Sequence, residues 1–313
     1  MEDAGPLSDW YAANARDLPW RAPGTTPWAV LLSEIILQQT RMESGIPYWE
    51  RIHSRWPNSA AMAAASEDDL LREWEGCGYY SRARNLFKLA TEVGDSALPS
   101  TREELIRLPG IGPYTAAAIA SIAFGEAVAC VDGNVRRVLS RWAAADLSPA
   151  ELQSRADAWM RRAVEHGTAP GDWNQAVMEL GATVCSPRKP NCAACPMANQ
   201  CAAAKAADAT AWPARRKTRQ KAVHMHAWVE PRGAGYHLVQ SDARELGGLW
   251  GFPLHEKAPA STPVGRVRHD FTHKRWTVDV HLLPASDGEG VDPASVGMSR
   301  LHRKILDCAE AAR

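Results

Sequence analysis

A chain of 313 residues with 45% hydrophobic side chains is long enough for two domains, because one core rarely grows beyond about 250 to 300 residues. Its 36 basic side chains balance 36 acidic ones, so no global field attracts a polyanion, and a nucleic acid has to be held by local patches. No apolar stretch reaches the roughly 18 residues of a membrane span; the longest, Thr115 to Val131, is broken by Gly125 and Glu126.

The start, Met1-Glu-Asp-Ala-Gly5, has neither a basic residue nor an apolar run, which makes a reducing, cytoplasmic and nucleoid-associated location the expectation. Up to about Ala207 apolar residues recur at three and four between Pro, Gly and Ser/Asp punctuation, and this predicts an all-helical domain over 1–207. Within it Ala29 to Thr40 reads as one helix, its apolar face holding Leu31, Leu32, Ile35 and Ile36, with Glu34 and Gln38 on the flank. Residues 100–120 read as helix, tight turn, helix, with Ser100 and Glu103 as a capping box and Leu108-Pro109-Gly110-Ile111-Gly112 as the turn. Asp132 stands directly before a further helix, the place of an N-cap.

Residues 208–221 carry five basic side chains and one acidic, few core residues, and read as a linker. Beyond them the period becomes two. Trp276, Val278, Val280 and Leu282 alternate with Thr277, Asp279 and His281, as in a half-buried strand. Val223 to Val229 and Tyr236 to Gln240 flank Pro231-Arg-Gly-Ala-Gly235 and predict a hairpin, and Asp292-Pro293 opens a final helix through Ile305 and Cys308. Residues 222–313 therefore form a smaller α+β domain.

Three patches offer themselves to a phosphate backbone: Arg82, Arg84 and Lys88; Arg136, Arg137 and Arg141; Arg188 and Lys189. Solvated helix faces produce such clusters too. The turn at Gly110 and Gly112 is more telling, because glycines permit close backbone approach and the next helix N-terminus directs free N–H groups at an anion. Cys185, Cys192, Cys195 and Cys201, separated by six, two and five residues, place four thiolates in one loop. Such a set closes round one [4Fe-4S] cluster or one zinc ion. Only Cys192 and Cys195 form the C-x2-C knuckle that structural zinc sites use in pairs, which favours iron–sulfur. The odd total of seven cysteines argues against a disulfide framework. Four thiolates leave no open position for substrate, so the loop supports rather than reacts.

Leu108-Pro-Gly-Ile-Gly-Pro-Tyr-Thr-Ala116, followed by the cysteine comb, resembles the helix-hairpin-helix of the endonuclease III superfamily of DNA glycosylases. Leu18-Pro-Trp-Arg21, Ser33-Glu-Ile-Ile-Leu-Gln-Gln-Thr40, Gly76-Cys-Gly-Tyr-Tyr-Ser-Arg-Ala-Arg-Asn-Leu86 and Val131-Asp-Gly-Asn-Val-Arg-Arg-Val138 together resemble adenine DNA glycosylases of the MutY type, in that family's order. The resemblance implies a helix-hairpin-helix glycosylase domain with a six-helix barrel and a [4Fe-4S] subdomain. It further implies a monomer acting on double-stranded DNA that contains A:8-oxoguanine or A:G mispairs.

By matching position, Glu34 would protonate adenine at N7, Asp132 would stabilise or transiently bond the sugar cation, Asn134 would orient the site and Tyr114 would hydrogen-bond to the carboxylates. Gln39, Thr40 and Tyr79 would meet the duplex near the lesion, the turn at Gly110 and Gly112 its backbone, and Arg188 and Lys189 a phosphate. Bifunctional relatives carry a lysine where this chain has Tyr114, which cannot form a Schiff base; a monofunctional enzyme is implied. The family usually has leucine where Cys77 stands here. Gly247-Gly-Leu-Trp-Gly-Phe-Pro253 and His269-Asp-Phe-Thr-His273 resemble the family's C-terminal domain, related to Nudix hydrolases but here without a Nudix box. Thr272 would meet 8-oxoguanine. A mismatch-specific thymine glycosylase and a non-catalytic iron–sulfur DNA-binding protein are the competing readings.

Overall fold

The computed structural model describes residues 3–206, 208–214, 220–241, 246, 248–271 and 273–313. Two compact units form, one from Met1–Ala61 and Leu89–Arg216, the other from Met62–Lys88 and Lys217–Arg313. The change from helices to strands falls where the apolar period changes.

The first unit opens with α1 (Gly5–Asn14), α2 (Pro27–Ile36) and α3 (Met42–Arg55). The chain then runs through α4 (Ser59–Ala63), α5 (Glu67–Glu73) and α6 (Ser81–Val93) before α7 (Arg102–Leu105), α8 (Pro113–Phe124), α9 (Gly133–Ala143), α10 (Pro149–Glu165) and α11 (Pro170–Thr183). Local chemistry sets these boundaries. Thr26 caps α2 ahead of Pro27, and Ser148 with Glu151 forms a full capping box ahead of Pro149, each proline taking the first helical position where its missing N–H costs nothing. Val135, Val138, Leu139, Trp159, Trp173 and Leu180 bury against one another between α9, α10 and α11. Among the described residues no helix is long and apolar enough to cross a membrane.

Two helical expectations shift. The cap of α7 is Thr101, whose hydroxyl accepts from the Glu104 N–H, in place of the Ser100–Glu103 pair one residue earlier. Glu126 decides the register by accepting the Arg102 N–H at 2.6 Å, which makes Arg102 the first helical residue. Helix α2 ends at Ile36 instead of running on to Thr40. The Thr40 N–H closes a turn on the Leu37 carbonyl, Gln39 takes a left-handed conformation at φ 60°, and Leu37 lies over Gly45 of α3 so closely that a Cβ there would stand 2.7 Å from it.

In the second unit the main sheet has the order β6 (Leu254–His255), β1 (Lys221–Val229), β8 (Lys274–Leu282), β7 (Gly265–Asp270). Strands β1 and β8 are parallel and pair along their full length, from Lys221 with Lys274 to Val229 with Leu282. Their inward residues, among them Ala227, Val229, Trp276, Val278 and Val280, pack with Leu301, Ile305 and Ala309 of α12 (Arg300–Glu310).

The hairpin expected between Val223–Val229 and Tyr236–Gln240 is replaced by two smaller ones. Strand β2 (Pro231–Arg232) pairs with β3 (Gly235–Tyr236), and β4 (Val239–Gln240) with β5 (Trp250–Gly251). Strand β1 is unavailable because β8 and β6 occupy its two edges. Asp292-Pro293 starts only a 3-10 turn, and α12 begins after a separate cap at Ser299. The Gly297 carbonyl between them accepts the Trp250 N–H, which holds this stretch extended.

Candidate active site

A cavity of about 1300 Å³ opens in the first unit. Helix α2 brings Glu34 to it and the first turn of α8 brings Tyr114, whose hydroxyl donates to Glu34 Oε2 at 2.9 Å. Protein mass closes round this carboxyl, and the desolvation raises its pKa from 4.5 to about 7. The Tyr114 hydrogen bond opposes the rise, the Asp132 charge adds to it, and Arg21 opposes it. Glu34 thus holds or yields a proton near neutrality, as a general acid must. Burial pushes the Tyr114 hydroxyl well above its ordinary value, with the Glu34 charge next in importance, so it remains a hydrogen-bond donor.

Asp132 is both a cap and a cavity carboxyl. Its Oδ1 accepts the Val135 N–H at 2.6 Å to start α9, while Oδ2 accepts from Asn134 Nδ2 at 3.0 Å. Burial raises its pKa, and hydrogen bonds from Val135 and Asn134 hold the rise in check. The two carboxyls therefore stand in unlike settings, Glu34 facing one phenol and Asp132 a ring of N–H donors, the condition under which one serves as acid and the other as anion.

Asn134 is fixed in turn. Its Oδ1 accepts from Arg137 Nη2 at 2.8 Å, and the same guanidinium donates through Nε to the Cys185 carbonyl at 2.7 Å. A chain of hydrogen bonds thereby joins Asp132 to the cysteine loop. Gly181 of α11 lets Asn134 sit there, because a Cβ at 181 would stand 2.6 Å from Asn134 Cβ and 3.1 Å from its Cα. Gly181→Ala is expected to displace the start of α9 and to cost about 1–3 kcal/mol in denaturant unfolding; an unchanged midpoint would refute the close fit.

Helix α11 builds the opposite wall. Glu179 of α11, 1% exposed, forms ion pairs with Arg16 and with Arg21 Nη2, the latter at 3.0 Å. Arg21 Nε also donates to Gln175 Oε1 at 2.8 Å, and the Tyr114 hydroxyl lies 3.2 Å from Met178 Sδ. Burial pushes the Glu179 carboxyl up, and the two guanidinium groups more than reverse it, so the group is held ionised. Arg16, Trp20, Arg21, Gln175, Met178 and Glu179 all line the cavity. Trp20 and Arg21 lie in the Leu18–Arg21 block, and 175, 178 and 179 share one helix face, but nothing in the sequence joins them: the partners lie up to 163 residues away.

Gln39 and Thr40 reach the cavity rim, so Glu34, Tyr114, Asp132, Asn134, Gln39 and Thr40 are brought together. Tyr79 belongs to the second unit, 44% exposed at φ 50°, with Arg82 stacked between its ring and that of Trp74. Gly110, at φ 76°, forms the bend of the helix-hairpin-helix, and Gly112 caps α8. At Gly112 a Cβ would meet open space, so its backbone is approachable from outside. Arg188 and Lys189 are exposed. Thr272, Gly247 and linker residues 215–219 lie outside the described residues.

Cys185, Cys192, Cys195 and Cys201 face one small cavity. Burial raises the Cys195 thiol to about 11 and raises that of Cys201, and the neighbouring sulfurs add to both shifts. Four such thiolates need a bound cation to coexist. Arg141 braces the loop, donating to the carbonyls of Ser186 at 2.7 Å and Pro187 at 3.0 Å. The donor set is all sulfur, as a soft metal centre requires.

Comparison with known proteins agrees with this arrangement. The profile of the HhH-GPD superfamily base excision DNA repair proteins matches residues 32–162. The chain is 40% identical over 196 residues to the adenine DNA glycosylase of Mycolicibacterium smegmatis, covering 62% of this chain and 67% of that one.

The chain belongs to the adenine DNA glycosylase family of the HhH-GPD superfamily.

The Arabidopsis thaliana member of the family is 36% identical over 370 residues, covering 94% of this chain. This chain spans 59% of that protein's length. In structure, a thermostable thymine-DNA glycosylase superposes with a TM-score of 0.58 at 26% identity, over 64% of this chain and 94% of that one. The family profile covers Glu34, Tyr114 and Asp132. Arg16, Gln175 and Glu179 fall outside it and join the cavity only through the fold.

Proposed function

We propose that the protein is a monofunctional adenine DNA glycosylase that hydrolyses the N-glycosidic bond of adenine mispaired with 8-oxoguanine or guanine. The observation that carries this reading is the Glu34–Tyr114 pair, with the Glu34 pKa near 7, in the same cavity as Asp132. Glu34 delivers its proton to N7 of the flipped adenine, and the base leaves as a neutral species. Asp132, anchored by Val135 and Asn134, faces the cationic sugar as an anion, and water completes the hydrolysis. A flipped nucleotide leaves a gap in the duplex, and Gln39 at the cavity rim enters it. The Gly110–Gly112 turn takes a backbone phosphate at the N-terminus of α8, and Arg188 and Lys189 take another.

The four cysteines would hold a [4Fe-4S] cluster, which supplies structural cross-linking of the loop that carries Arg188 and Lys189. Thr272 lies in the segment that would read 8-oxoguanine.

Duplexes with A:8-oxoguanine, A:G, T:G and thymine glycol, assayed with and without alkali, test the reading. Adenine strands should break only after alkali, since Tyr114 leaves no amine to form a Schiff base. Breaks without alkali would overturn the monofunctional mechanism, and exclusive action on T:G would favour a thymine glycosylase, the reading that the thymine-DNA glycosylase likeness supports. On the same panel Thr272→Ala should lower the rate ratio of A:8-oxoguanine to A:G; an unchanged ratio removes Thr272 from recognition.

A further inference from the structure

The face of the main sheet turned away from α12 carries a cluster that the glycosylase reaction does not use. Histidines 224 and 226 are alternate residues of β1 and so share one face. In the parallel pairing with β8, His226 stands opposite Asp279 and Trp228 opposite His281. His224 Nε2 donates to Asp279 Oδ2 at 2.9 Å, and His226 Nδ1 lies 3.0 Å from His281 Nε2. One ligand atom from each of His224, His226 and Asp279 lies within 4.8 Å of the others.

The hydrogen bonds fix which lone pairs are free. His281 is buried, and its Nδ1 lies 2.9 Å from the Ser261 carbonyl, which only accepts; Nδ1 therefore carries the proton. In a neutral His281 ring Nε2 is then the acceptor, and His226 donates from Nδ1. That leaves His226 Nε2 unprotonated. A ring held through one nitrogen by a relay ending at a backbone carbonyl, with its other nitrogen bare, is the arrangement by which proteins prepare a histidine for a metal. Asp279 is a second prepared ligand. Arg266 donates to its Oδ1 at 2.6 Å and Oδ2 at 3.2 Å, which fixes the orientation of the carboxylate. His224 completes the set by moving its proton from Nε2 to Nδ1.

We infer that His224, His226 and Asp279 bind a divalent transition-metal ion of the zinc class on the face of the second unit's sheet turned away from α12. Two imidazoles and a carboxylate suit that class. Around a tetrahedral ion the ligand atoms stand about 3.3 Å apart, so on binding the 2.9 Å His224–Asp279 pair opens slightly and His226 draws in toward it. His224 is exposed and His226 half-buried, which gives them room to do so. The ion cross-links β1 to β8 and keeps one coordination position for water or an outside ligand.

Isothermal titration of cluster-loaded, full-length protein with zinc chloride tests this, with iron content measured before and after. One zinc per chain is expected, weakened at least about tenfold by His224→Ala and by His226→Ala and unchanged in Cys77→Ser and Cys308→Ser. Neither histidine is in the hydrophobic core, so both variants should fold, and circular dichroism checks that they do. Wild-type protein that takes up no zinc, or zinc binding that survives in the double histidine variant, overturns the assignment.

Discussion

Glu34→Gln is expected to lower single-turnover adenine excision by about 10²–10⁴-fold while leaving duplex affinity within a factor of a few. Glutamine keeps the shape and accepts the Tyr114 hydrogen bond, but carries no transferable proton. The same variant should be the more stable protein at alkaline pH. The unfolded glutamate titrates near 4.5 and the folded one near 7, so the folded state keeps a proton that the unfolded state loses as pH rises between those values. Stability from this group is complete below pH 4.5 and gone above about 7, where the ionised, desolvated carboxyl costs on the order of 3 kcal/mol. Melting curves of both proteins at pH 5.5 and 8 check the sign: the variant's advantage must grow with pH. The excision rate of the wild type should fall as pH rises through about 7. A flat profile, or near-normal turnover by Glu34→Gln, would remove Glu34 from the proton transfer.

Asp132 separates its two duties by substitution. Asp132→Asn should leave stability within about half a kcal/mol, because asparagine caps a helix as well as aspartate. Excision should still drop by about 10²–10³-fold, since the anion facing the sugar cation is gone. Asp132→Ala should lose activity to a similar degree and in addition about 1 kcal/mol of stability with the Val135 cap. Denaturant melts set beside single-turnover rates decide it. If asparagine restores turnover along with stability, Asp132 is a helix cap and nothing more. Because burial raises the Asp132 pKa, the acid limb of the rate profile is expected to shift in Asp132→Asn and the alkaline limb to disappear in Glu34→Gln.

The carboxyls and the phenol that meet in the cavity are more legible in the sequence than the wall around them. Glu34, Tyr114 and Asp132 lie within compact blocks with a recognisable order, and the cysteine spacing marked a soft-metal loop. Arg16 and Glu179 had no such context: a buried carboxylate is recognisable only with its partner, and the chain between them gives no hint of the meeting. The apolar face of Leu31, Leu32, Ile35 and Ile36 carries a helix on toward Thr40 by periodicity alone; in the fold α2 ends at Ile36, where Leu37 packs on Gly45, a tertiary contact that the local pattern does not contain. The alternation in 276–282 identified a strand, yet period two cannot name a neighbour. Strand β1 therefore found β8 rather than the nearer β3 or β4.

Helix α11 joins several of these contacts. Along one face Gly171 abuts the backbone of Ile122, Asn174 bridges the Val128 carbonyl and the Cys130 N–H, Gln175 meets Arg21, Met178 the Tyr114 hydroxyl, Glu179 both arginines, and Gly181 the side of Asn134. The helix works like the cut edge of a key, in which each notch is shallow or deep for a different tumbler. Deleting one residue would leave a good helix and turn every notch by about 100°. Drift in this segment is therefore constrained by register as well as by hydrophobicity, and a change that looks conservative on a helical wheel can leave a folded protein whose cavity no longer closes.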